Sequence, residues 1–258
     1  MLTFLVVAVS AFCVALLTFF SGFGLGTLLM PCFALYFPVE TAIALTGIVH
    51  LLNNVLKFAL TAKQVHWQVA LRFGLPAVLA AVPGALLLNR LADLPPLASY
   101  TLLGGLHHVS LIRVLLGILI VTFSAWELAA TVKKSEISSR WMPLGGLLSG
   151  FFGGLSGHQG AFRSAFFVRS GMSKEAFVAT GIVCAMAVDV IRLGIYGFKT
   201  GNAWQLATMP ILATAVGSAF LGSWIGLQFI PKMTMAGIQK IVAAMLMVLG
   251  IALGVGLV

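Results

Sequence analysis

The sequence predicts an all-α integral membrane protein of about eight transmembrane helices, arranged as two tandem four-helix repeats whose first helices are broken. Three observations point there. Of the 258 residues 60% are apolar and only 8% are charged, with a mean hydropathy of +1.10, whereas a domain in water carries about a quarter charged residues. The apolar residues gather in runs of about 20, the length a helix needs to cross the hydrocarbon core. A single register relates the two halves of the chain.

The runs fall at 3–35 with an interruption, 41–61, 68–88, 110–130, 143–170 with an interruption, 175–197, 205–229 and 235–257. None alternates apolar and polar residues as barrel strands do, so helix is the predicted state throughout. Residues 1–20 lack a basic start and a small-residue cleavage site, so they read as a first membrane helix and not a signal peptide. The one wet segment, 131–141, carries Lys133, Lys134, Glu136, Ser138, Ser139 and Arg140. It separates a repeat over 1–130 from a repeat over 142–258.

Thr46-Gly47-Ile48-Val49 recurs as Thr180-Gly181-Ile182-Val183, and the same offset sets Ala42 on Ala176, Pro76 on Pro210 and Ala85 on Ala219. Small shifts match Ser21-Gly22 with Ser156-Gly157 and Leu116-Gly117-Ile118 with Leu249-Gly250-Ile251. Four spans per half would make both repeats enter the bilayer in the same sense, related by an axis along its normal.

Fifteen Lys and Arg against six Asp and Glu give a net charge of +9. These cations stand mostly singly at the ends of apolar runs, as topology determinants and phospholipid anchors do, and no basic patch alternates with aromatics. Lipid is therefore a predicted partner and nucleic acid is not. Lys63, Lys133, Lys134, Arg140 and Lys199 fall on the side of the termini, against Arg90, Arg169, Lys174 and Lys232 opposite. That surplus favours termini inside. Cys13, Cys32 and Cys184 lie in apolar runs without a spacing that suggests a metal or a disulfide. No P-loop, zinc spacing or soluble catalytic constellation occurs, so neither cofactor nor enzymatic chemistry is predicted, and any energy source is a proton or sodium gradient or a separate subunit.

Each repeat opens with a helix broken by a glycine-rich stretch: Ser21-Gly22-Phe23-Gly24-Leu25-Gly26-Thr27 in the first, and Ser149-Gly150-Phe151-Phe152-Gly153-Gly154-Leu155-Ser156-Gly157-His158-Gln159-Gly160 in the second. Clustered glycines let the backbone leave the helix, and the restarting helix points its positive end at the break, where an anion would fit. Close packing through small residues accounts equally well for either stretch alone. Their recurrence at one place in both repeats favours the site. Arg163 stands one turn into the second restart, near His158 and Gln159. An ionisable side chain at membrane depth is a functional candidate, and its fork of donors matches two oxygens of an oxyanion. The competing account is snorkelling to headgroups.

Thr46, His50, Asn53 and Lys57, at i, i+4, i+7 and i+11, form a polar stripe that cannot face lipid. Hydrogen-bond glue between helices would explain Thr46 and Asn53 but not Lys57. The matching face of the second repeat, Thr180, Cys184, Ala187 and Ile191, is far less polar. Asp189 and Arg192, at i and i+3, predict a structural ion pair away from the Thr180 face, with proton coupling at Asp189 as the second reading. His107-His108 reads as part of an interfacial loop. The predicted substrate site comprises Gly24, Gly26, Thr27, Thr46, His50, Asn53, Lys57, Gly157, His158, Gln159, Gly160, Arg163 and Thr180.

These segments resemble the sulfite exporter TauE/SafE family of anion permeases. The likeness rests on the duplicated four-helix layout, the glycine-rich break followed by Met30-Pro31, the stretch from Glu40-Thr41-Ala42 to Thr46-Gly47, and a second copy from Ser173-Lys174-Glu175-Ala176 to Thr180-Gly181. It covers nearly the whole chain. Departures are Gly24-Leu25-Gly26 and His158-Gln159-Gly160 where the family typically runs three glycines, and Ala165 near the place of the second proline. The resemblance implies export of sulfite or a small organosulfur anion across a bacterial inner membrane, and allows a homo-oligomer. The residues by themselves point only to a small anion. An anion channel and a non-transporting membrane scaffold are the alternatives. An intramembrane enzyme would need facing nucleophiles or ligands, and Cys184, His50 and His158 are too scattered to specify one.

Overall fold

The computed structural model describes residues 2–21, 25–102, 105–130, 139–167, 170–197, 209–229 and 235–257. The apolar runs are helices: α1 (Leu2–Ser21), α2 (Leu25–Ala34), α3 (Val39–Thr61), α4 (Trp67–Ala92), α5 (Leu111–Ala130), α6 (Met142–Ser156), α7 (Gly160–Phe167), α8 (Lys174–Gly197), α9 (Met209–Phe229) and α10 (Met235–Gly254). Among the described residues four segments are long and apolar enough to cross a membrane: Val39–Gln64, Trp67–Ala92, Lys174–Gly197 and Met209–Gly226. Shorter apolar helices cover Leu2–Leu16, Leu111–Ala125 and Ala243–Gly254. Most of the polar segment, 131–138, lies outside the described residues, and Ser139–Trp141 forms one 3-10 turn leading into α6. Of the cations used to orient the chain, Lys133, Lys134, Arg169, Lys199 and Lys232 also lie outside them.

One departure from all-helical structure appears. Strands β1 (Ala98–Leu102) and β2 (Gly105–Val109) pair antiparallel in the connection read as a loop, with Tyr100 opposite His107. The cause is local. Pro95-Pro96 cannot continue α4, and the extended backbone beyond them satisfies its polar groups by pairing with itself, beginning with Leu97 N–H donating to Val109 O at 2.8 Å. The Tyr100 hydroxyl and the His107 ring then tie the hairpin to the carbonyls of Val255 and Gly256 beyond α10.

The most extensive helix contacts join the two halves. α1 packs on α9, α6 on α4, α5 on α10, and α3 on α8. The α4–α6 seam is backbone against backbone. A Cβ placed on Gly146, Gly150 or Gly154 would lie 2.2, 1.9 or 2.2 Å from the carbonyl oxygens of Phe73, Ala77 and Ala81, one helical turn apart. Small residues are what let membrane helices approach this closely, since lipid supplies no hydrophobic force between them. Gly150→Val should therefore push α4 from α6 and destabilise the protein by about 1–3 kcal/mol, the usual cost of overpacking. Thermal unfolding in detergent reads this, and an unchanged midpoint would mean the seam is looser than described.

The distribution of polarity is that of a protein solvated by lipid. Leu71, Leu75, Leu79 and Leu86 form an exposed face of α4, while Asn53, Lys57, Ser149, Gln159, Asp189 and Arg192 are buried between helices. Backbone polar groups are satisfied within the helices, so the outer surface can remain apolar.

Candidate functional site: two helix breaks and a buried charge cluster

Helix α6 ends where Gly157 takes a left-handed conformation (φ 83°) and its N–H bonds Gly153 O at 2.8 Å. Glycine is required there twice over. A side chain would be strained at that φ, and its Cβ would stand 2.6 Å from the Arg192 guanidinium. The chain turns through His158 and Gln159 and restarts as α7 at Gly160. Ser149 Oγ donates to the Gln159 carbonyl at 2.7 Å, and the same oxygen accepts the Arg163 N–H at 3.2 Å. Gly26, in the first turn of α2, faces this turn: a Cβ on it would meet Gly157 O at 3.6 Å and the His50 ring at 4.0 Å. The first turn of α2 therefore adjoins the break between α6 and α7. Gly24 lies outside the described residues, as does the side chain of Thr27.

Between the breaks lies a buried ionic network centred on Asp189. Its Oδ1 accepts from Arg192 Nε at 2.9 Å and from Gln159 Nε2 at 3.3 Å, while its Oδ2 is 2.5 Å from His50 Nδ1. Asn54 Nδ2 lies 3.3 Å from the opposite ring nitrogen, His50 Nε2. Arg192 also approaches Gly47, where a Cβ would be 3.2 Å from its Nη2. A fully buried carboxylate is tolerable because three donors and a full positive charge meet it. The predicted Asp189–Arg192 pair is present, and it reaches across to the polar stripe of α3.

Further along that stripe, Asn53 and Lys57 are buried. With its amide oriented to satisfy both ends, Asn53 Oδ1 accepts from Lys57 Nζ at 3.2 Å and from Ser223 Oγ at 3.0 Å, and its amide nitrogen donates to Ala219 O at 3.3 Å. Arg163, also buried, lies against Gly181 of α8, where a Cβ would be 3.0 Å from its Nε. Lys57 and Arg163 are close enough for their charges to repel. Among the described residues the buried charged side chains are Lys57, Arg163 and Arg192 against Asp189 alone, an excess of positive charge. Such an interior attracts an anion.

The remaining predicted residues divide. His158 is buried beside the turn with Nδ1 2.8 Å from Ser156 Oγ, while its Nε2 finds no hydrogen-bond partner among the described residues. The hydroxyl of Thr46 is in the same condition. Thr180 is buried on α8 beside Gly181. Its hydroxyl accepts the His66 N–H at 2.9 Å and so anchors the start of α4. Sequence reasoning did not select Asn54, Ser156 or Ser223, and it did not foresee the His50–Asp189 contact. The available signal was chemical: two complementary ionisable groups at membrane depth, in helices that occupy matching places in the two halves.

Residues 7–253 match the sulfite exporter TauE/SafE family, nearly the whole chain. The chain belongs to this family. No curated protein matches the chain. TauE/SafE membership and the apolar helices make it a multi-pass membrane transporter, not an enzyme by family. In these terms the charge cluster of this TauE/SafE protein lies in a transporter interior, which accounts for its combination of burial and ionisability.

Proposed function

We propose that this TauE/SafE protein is a secondary transporter that exports a small sulfur oxyanion, sulfite or a small organosulfur anion, across a bacterial inner membrane. The substrate is held between the broken first helices of two tandem repeats, 1–130 and 142–258, joined by 131–141. The observation that carries this reading is the excess of buried positive charge beside the Gly157 break and the first turn of α2 at Gly26 that adjoins it. An oxyanion stripped of water needs full charges and oriented donors to replace its hydration. Arg163, Lys57, Gln159 and the N-terminus of α7 supply both kinds, with Gly26 and Gly160 admitting close backbone approach. The reciprocal packing of α1 on α9 and α6 on α4 supports the repeat arrangement, because a pseudo-twofold axis exchanges those two contacts.

Uptake and efflux by the purified protein in liposomes test this, with sulfite, sulfate, thiosulfate, methanesulfonate and acetate in parallel. Saturable flux of a sulfur oxyanion, with acetate excluded, is the expected result. Flux that rises with the gradient and never saturates would identify an anion channel, and no flux of any sulfur anion would leave the scaffold reading.

A further inference from the structure

Resting on the anion-transport reading, we infer that His50 is a proton-binding site coupled to the anion, with Asp189 as its fixed counter-charge. His50 retains 12% of its side-chain surface accessible, whereas Asp189 retains none. The histidine is thus the member of the pair that protons can reach. Asp189 sets its tautomer: Nδ1–H donates to Asp189 Oδ2 and Nε2 is left as the basic nitrogen, while the Asn54 amide lies across the ring, 3.4 and 3.3 Å from the two ring nitrogens. An incoming proton binds Nε2, and the Nδ1–H bond to Asp189 is kept.

The charge balance then decides what the proton does. Arg192 already neutralises Asp189 through its bond at 2.9 Å, so protonating His50 converts a neutral triad into one of charge +1. Arg163, on α7, adds to the positive field at Asp189. Lys57 lies two turns further along α3, Tyr196 lies on α8 near Arg192, and His158 stands on the break. Of the other elements packed on α3, α9 carries no charged residue, α2 carries only the Cys32 thiol, bonded back to Leu28 O, α4 carries Arg72 and Arg90, and the turn Ala62–Gln64 carries Lys63. The His50 ring also borders Gly26 and, through it, the Gly157 turn. A positive charge arriving there strengthens anion binding, and by thermodynamic reciprocity a bound anion strengthens proton binding. Proton and anion therefore occupy the same carrier state and move together. For a dianion the loaded carrier moves one negative charge, a movement outward that an inside-negative potential favours.

The test is equilibrium binding of sulfate and methanesulfonate, whose own charge is constant, to the full chain in detergent across a series from about pH 5.5 to 8.5. Calorimetry in two buffers of different ionisation heat counts the protons taken up. Wild type should bind more tightly as pH falls, by at most about tenfold per pH unit, and should take up as much as one proton per anion. In His50→Gln both the change of affinity with pH and the proton uptake on binding should be lost. Wild-type affinity that does not change with pH, or equal proton uptake by wild type and His50→Gln, would overturn the coupling and leave anion transport standing. Failure of wild type to bind either probe, or sulfite, would overturn the transport reading itself and the coupling with it.

Discussion

Arg163→Ala is expected to weaken anion binding at least about 30-fold, since losing one partner of a buried, hydrogen-bonded charge pair costs about 2–5 kcal/mol and each 1.4 kcal/mol is tenfold. The reasoning combines charge with position. Half-helix N-termini contribute about half a unit of positive charge each, little against the cost of dehydrating an oxyanion. A full charge is needed, and Arg163 supplies one, buried on the first turn of α7 just past the Gly157 break. Arg163→Lys keeps the charge but loses the paired donors, so it should recover part of the affinity. Gln159→Ala removes a neutral donor and should cost about 1 kcal/mol. Binding by variants shown to be monodisperse decides the matter. Wild-type affinity in a properly folded Arg163→Ala protein would move the site elsewhere, and Lys57 would be next to test.

Asp189→Ala should be among the most destabilising single changes in the chain. It would strand the fully buried Arg192 guanidinium without its carboxylate and remove the acceptor shared by Gln159 and His50. Removing one member of a buried ion pair costs about 3–5 kcal/mol, because the remaining charge stays desolvated. Replacing both members is far milder, so Asp189→Ala combined with Arg192→Met should recover most of the lost stability. Asp189→Asn, which keeps the shape and a carbonyl acceptor, should fall between. Thermal unfolding of the three variants in detergent reads the order. A single Asp189→Ala variant as stable as wild type would show that the network contributes nothing to holding α3, α8 and the turn between α6 and α7 together.

The helices and the position of the second break were legible in the sequence because each depends on a property local to a stretch of chain. Crossing hydrocarbon requires about 20 apolar residues in succession, whatever their neighbours. The φ of 83° at Gly157 likewise requires glycine wherever the rest of the molecule lies. The stripe from Thr46 to Lys57 was legible for the same reason, since helical periodicity alone sets those side chains on one face. The hairpin was missed because its ten residues carry no strong alternation. Proline placement and the contact with residues 255–256 decided it, and the second of these is non-local.

Partner choice lay beyond the sequence altogether. Asp189 was legible as the partner of Arg192, three residues away on the same helix, but not as the partner of His50, 139 residues distant. Thr180 matched Thr46 by register, yet the fold gives its hydroxyl to the His66 N–H at the start of α4. Asn53 met Ser223 from α9, and the glycines of α6 met the carbonyls of α4. By itself, then, the sequence determined a lipid-solvated helical protein, its second helix break, and which residues were too polar to face lipid. Tertiary structure alone decided which of those residues meet, because hydropathy and periodicity act along one helix, whereas an ion pair between helices exists only once their backbones have docked and set the distance.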